Sequence, residues 1–184
     1  MTEIKRLIQS YSKFIAIPWR SDAAAPQRVI FCVYNENDEL RLRARIDEFE
    51  IATRQSGHEW AKFDITDTFA NWLAGQRYAK SYFQKPTLLP TLLPKYLDFI
   101  EDEFKRFLSN NNDVTKGSVV ALMGIGSLFG FLKVKEVVDK LSPVVEGRLL
   151  VFFPGSYESS NYRLLDGYDG WNYLAVPITA DKEF

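Results

Sequence analysis

The amino-acid sequence predicts an α/β fold: a three-layer sandwich around a mostly parallel, Rossmann-like sheet of about five strands. Three observations lead there. Residues 28–34 (RVIFCVY) and 148–153 (RLLVFF) are nearly unbroken apolar runs rich in β-formers, the pattern of strands covered on both faces. Between the strand candidates lie segments whose apolar residues recur at helical spacing. Residues 118–141 (SVVALMGIGSLFGFLKVKEVVDKL) then place an apolar run, a glycine turn and a helical stripe in direct succession. Ser127 stands there at the N-cap position, and Val134, Val137, Val138 and Leu141 form the stripe.

Taken in order, residues 3–17 read as an amphipathic helix with Ile4, Leu7, Ile8, Tyr11 and Ile15 on one face and Pro18 as its stop. A linker, WRSDAAAPQ, leads into the strand at 28–34. One helix is expected over NENDELRLRARIDEFEIATRQSG, capped by Asn37, striped by Leu42, Ile46, Phe49 and Ala52, and stopped at Gly57. Its interleaved acids and arginines make a solvated, ion-paired face rather than a phosphate patch. Residues 58–65 (HEWAKFDI) form a second strand and close a first right-handed βαβ unit. Thr66 or Asp67 caps a helix that turns Phe69, Trp72 and Leu73 inward. Prolines break residues 78–94 into turns, and the TLLPTLLP duplication there is too short for a structural repeat. Pro94 opens a helix striped by Leu97, Ile100, Phe104 and Phe107. After the 118–141 unit come the strand at 148–153, a loop without helical periodicity over 154–171, and a last strand at 172–178 (NYLAVPI). No crossover helix precedes that strand, so it is free to run antiparallel or along an edge.

The bulk composition narrows the function. With 184 residues, 46% hydrophobic and 26% charged, the chain reads as one globular α/β domain over 1–184, with helix and linker in 1–27 and the core in 28–179. No apolar run is long enough to span a bilayer, and the N-terminus lacks the apolar core of a signal peptide; the expected location is the cytoplasm, with no membrane partner. A formal charge of −1 argues against a general nucleic-acid binder, although direct DNA contact through a local basic face stays open. The single cysteine, Cys32, lies inside an apolar run and reads as a small buried hydrophobe.

Chemistry-bearing motifs are sparse. GIGSLFG offers Gly124, Gly126 and Ser127 at a strand-to-helix turn, where backbone N–H groups can meet a phosphate. Phe129 stands where the dinucleotide fingerprint wants Gly or Ala, and LLVFFPG ends in no acid for a ribose. Two readings stay open: a tight structural turn, or the ligand-binding site of a nucleotide or small-molecule sensor. Ser127 is not in a G-x-S-x-G elbow, and the only histidine, His58, should sit at the opposite end of the sheet. Asp38, Asp64, Glu158, Asp166 and Asp169 could gather at the strand ends, though Asp38 and Asp64 read more simply as helix caps or first-turn acids. We therefore expect no catalytic residues, no metal and no cofactor, hence not an enzyme. The loop at 154–171 holds the densest polar and aromatic cluster. Its Glu158, Asn161, Arg163, Asp166, Asp169 and Trp171 are the residue types of interface hot spots, and Tyr157, Tyr162 and Tyr168 argue for order. The alternative is a loop pinned to its own domain by those aromatics.

Four blocks in this order resemble one known family: RVIFCVYNENDELRLRARIDEFE, GHEWAKFDITDTFANWL, ALMGIGSLFGFLKVKEVVDKL and GRLLVFFPGSYESSNYRLLDGYDGWNYLAVPIT. Together they resemble BrxB, a small component of the BREX bacteriophage-exclusion systems, over residues 28–179. The resemblance implies a cytoplasmic bacterial defence protein encoded beside a DNA methyltransferase, a large ATPase and the phosphatase-like PglZ. It implies no catalytic residue. It suggests an adaptor acting by protein–protein interaction, with PglZ or the large ATPase as the partner.

Overall fold

The computed structural model describes residues 2–167, 170–182 and 184. Tyr168 and Asp169, both named above, lie outside the described residues. In chain order the elements are α1 (Glu3–Ile15), β1 (Val29–Tyr34), α2 (Glu39–Arg43), α3 (Ile46–Gln55), β2 (Glu59–Asp64), α4 (Thr68–Ala74), α5 (Ala79–Gln84), α6 (Leu93–Ser109), β3 (Ser118–Met123), α7 (Val134–Leu141), β4 (Arg148–Glu158), β5 (Asn161–Leu164), β6 (Trp171–Asn172) and β7 (Val176–Ile178).

The sheet is mixed, which corrects the expectation of a mostly parallel sheet of about five strands. It has seven strands among the described residues. Five of them, ordered β2-β3-β4-β1-β7, pair in parallel, while β5 and β6 add antiparallel pairings to the outer half of β4. The physical reason is the length of β4. Its first half, through Pro154, pairs with β1, and its second half runs on past the sheet and folds back as a ribbon. The last strand is not antiparallel, because β7 lies parallel to β1.

The expected first βαβ crossover joins parallel strands that are not neighbours, since β3 and β4 stand between β1 and β2. Alternation along the strands explains how the connections are sorted. Ile30, Cys32, Tyr34, Leu150 and Phe152 share one apolar cluster with α1, α2 and α3. Val29, Phe31, Val33, Leu149, Val151 and Phe153 share the other with α4, α6 and α7. The chain crosses three places along the sheet over the first face, then returns one place at a time over the second. Opposite direction on the opposite face gives one hand throughout, as the right-handed crossover rule requires. Buried hydroxyl pairs tie helices to each other on both faces: Tyr11 with Thr53 at 2.6 Å and Thr68 with Tyr96 at 2.8 Å.

Locally, the single helix expected over 37–57 is two, α2 and α3, broken at Ala44–Arg45, where Arg45 forks onto Glu48 in the first turn of α3. Asn35, not Asn37, caps the 3-10 turn that precedes α2. Residues 78–94 hold α5 and a 3-10 turn at Pro86–Thr91.

Candidate functional site

The C-terminal ends of the parallel strands frame a cleft of about 350 Å³, walled by Glu36, Glu39, Arg43, Thr66, Gly126 and Pro154, with Gly124, Ser127 and Leu165 completing it. Ligands in open α/β sheets sit at this end, where neighbouring strands send their connections to opposite faces. Here those strands are β1 and β4. Arg43 is the hub. Its Nε donates to Glu39 Oε1 at 2.6 Å, and its terminal nitrogens donate to Asp64 Oδ2 and to Thr66 Oγ1, both at 2.8 Å. The Tyr34 hydroxyl donates to the other oxygen of Glu39. Hydrogen bonding to Asp64, against the cost of burial, holds the Arg43 guanidinium above its ordinary value. Burial and then the Glu39 carboxylate push the Tyr34 phenol far up. At Asp64 burial works upward, but the bonds from Arg43 and Thr66 outweigh it and hold the carboxyl below the usual range. Each shift moves the group's pKa further from neutral pH, the reverse of what a general acid or base needs.

The structure places Gly124, Gly126 and Ser127 on this cleft, but no helix N-terminus stands behind them. Ile125–Leu128 is a 3-10 turn and α7 begins only at Val134, with Lys133 at its N-cap. Ser127 is not a cap of α7; its hydroxyl donates to the Gly124 carbonyl at 2.6 Å. Gly124 has φ +79°, and a Cβ there would lie 2.4 Å from Thr66 Oγ1 and 2.6 Å from Asp64 Oδ1. The glycine is required by close approach of the loop after β2. His58 sits at the far end of the sheet, stacked on Trp19 with ring centroids 3.7 Å apart.

The segment expected as a loop is an antiparallel ribbon of β4, β5 and β6. Its register sorts the candidate interaction residues. Ser156 faces Arg163 and Glu158 faces Asn161, while Tyr157 faces Tyr162, which also faces Trp171. Period two therefore turns Ser156, Glu158, Asn161 and Arg163 outward around a polar groove of about 400 Å³, and Tyr162 and Trp171 inward. Trp171 packs against Phe31, Phe153, Tyr162 and Tyr173. The Tyr162 hydroxyl donates to the Ala175 carbonyl at 2.9 Å and fixes the ribbon to the approach to β7. Asp166 is exposed in the turn that leaves β5. Gly155 is another close approach, where a Cβ would lie 2.0 Å from the Arg163 carbonyl oxygen. The ribbon's foot reaches the glycine turn: Pro154 and Leu165 flank Gly126, and Gly167 flanks Phe129. Two regions read separately in the sequence thus form one surface. Arg43, Glu39 and Tyr34 were not among the expected site residues, because the RLRAR run has the pattern of any solvated helix face.

A sequence model described as BREX protein BrxB matches residues 73–177, more than half of the chain. The chain belongs to the BrxB family. It is thereby a component of a BREX phage-defence system. The BrxB match runs from the end of α4 through the glycine turn and the whole ribbon to β7, while Glu39, Arg43 and Asp64 precede it. No curated protein and no solved structure matches the chain. No helix among the described residues is long and apolar enough to cross a membrane, and no group of three or more His, Cys, Asp or Glu there could hold a metal ion.

Proposed function

We propose that this BrxB-family chain is a non-catalytic adaptor that binds another BREX component through the outward face of the β4–β5 ribbon. The observation that carries this reading is the ribbon's two-sided register. Its aromatics are committed to the core, while Glu158 and Arg163 stand outward and make no side-chain hydrogen bond or ion pair among the described residues. A ribbon fixed at its base offers those groups with little ordering cost on binding. The non-glycine residues with positive φ among the described residues, Ser159, Ser160 and Leu165, all lie on it, and such strain concentrates at functional segments. The partner we propose is PglZ or the large ATPase, the neighbours that family membership suggests. The mutual pairing of the cleft's ionisable groups supports the non-catalytic half of the reading.

Affinity purification of the intact system with this chain tagged, followed by mass spectrometry, tests it. PglZ or the ATPase should accompany the wild type and be lost from an Asn161→Arg, Arg163→Glu double variant whose melting temperature is unchanged. A retained partner would remove the ribbon from the account, and a chain that purifies alone would remove the adaptor role.

A further inference from the structure

The opposite end of the sheet holds an unbalanced cluster of positive charge. Arg28 and Arg148 precede Val29 and Leu149, which are partners in the β1–β4 register, so the two arginines start neighbouring strands. Neither has a carboxylate within ion-pair distance among the described residues, whereas Arg41, Arg43, Arg45, Arg54 and Arg106 all do. They hold backbone carbonyls instead: Arg28 donates to Ala23 and Val145 at 3.1 Å each, and Arg148 to Arg20 at 3.2 Å. Burial first, and the Arg28 charge second, push the Arg148 guanidinium below its ordinary value.

Arg148 opens onto a cavity of about 340 Å³ lined by Ile17, Trp19, Gln27, Leu174 and Val176 among others. Its Cζ lies 4.6 Å from the centre of the Trp19 ring. Trp19 Nε1 and Arg28 Nε are buried without a hydrogen-bond partner, the two side-chain atoms of which this is true among the described residues. Both are donors. Trp19 lines the cavity and Arg28 does not, so the cation that faces the opening without a carboxylate is Arg148, and an oxyanion there completes its pairing. Arg20, paired with Asp22, also lines it beside Gln27; the other walls are apolar, and Leu174 and Ile17 stand at the surface 73% and 49% exposed.

We propose that this cavity binds a small organic oxyanion, a carboxylate or phosphate on a flat apolar body. Arg148 is its charge partner, Arg28 adds to the field, and Ile17 and Leu174 cover the apolar part. The Arg148 guanidinium lies over the Trp19 ring, so an anion drawn to Arg148 changes the field at the indole, and the indole signal reports it. The site lies at the other end of β4 from the ribbon's outward groove, and its test stands or falls independently of the adaptor reading.

The experiment is a titration of the full chain, at constant ionic strength, with phenyl phosphate, phenylacetate and the neutral 2-phenylethanol, followed by calorimetry and by ¹H–¹⁵N spectra of the tryptophan indoles. At least one of the two anions should shift the Trp19 indole saturably while Trp60, Trp72 and Trp171 stay in place; which anion does so separates phosphate from carboxylate. The neutral alcohol should leave the spectrum unchanged. Arg148→Met keeps the aliphatic stem and should weaken binding about tenfold, the scale of one charge-assisted hydrogen bond. Leu174→Asp, at an exposed position that carries no fold, should weaken it by repulsion. No saturable shift with either anion, an equal response to the alcohol, or undiminished binding by both variants would overturn the proposal.

Discussion

Gly124 shows what one residue can decide. A methyl group there meets the Asp64–Thr66 turn in a left-handed backbone conformation, so Gly124→Ala should destabilise the fold by about 2–3 kcal/mol, read by urea denaturation. The turn itself was legible in GIGSLFG; the need for glycine was not, because the atoms that crowd it come from the loop after another strand. Asp64 carries a pH signature. Its folded pKa lies below the unfolded value of about 3.9, so its contribution is present above that pH and is lost as pH falls through the folded pKa. Asp64→Asn should flatten the acid limb of stability below about pH 4, and an unchanged limb would show that the Arg43 bond does not form in solution. Cys32 is wholly buried, and burial pushes its thiol well up. It should react with a thiol reagent only when the protein unfolds.

At the scale of elements the ribbon is the instructive failure. The alternation that builds it, Ser156-Tyr157-Glu158 and Asn161-Tyr162-Arg163-Leu164, was present in the sequence. Its turn is Ser159-Ser160, both with positive φ, in place of the Asn-Gly pair that announces a two-residue hairpin. The pattern therefore predicts a loop and does not separate Trp171 from the residues that face the other way. The correct sorting predicts opposite behaviour for the two sides. Trp171→Ala should cost about 2–3 kcal/mol and speed amide exchange across β4 and β5. Arg163→Glu should leave the melting temperature within a degree or two, as exposed substitutions do. Strands β1 and β3 were easier because burial on both faces leaves an almost unbroken apolar run, and the helix stripes because burial on one face repeats at a fixed period.

Over the whole molecule, the types of the longer elements outside the ribbon were legible and the order of the strands in the sheet was not. Nothing local in RVIFCVY says that its partners are β4 and β7, both more than 100 residues further along the chain. The consequence is testable. A fragment ending at residue 147 contains no neighbour for β1, so it should show no cooperative thermal transition; a cooperative melt would contradict the strand order. The same arrangement explains how the chain presents its polar ribbon. β4 is held on both sides within the sheet, and its continuation carries β5 and β6 from a rigid base.

The most direct test of that presentation is hydrogen exchange on the assembled defence complex against the free chain. The account predicts new protection over residues 156–163, with the helices of both faces unchanged. Protection confined to other elements, with the ribbon exchanging as it does alone, would contradict it.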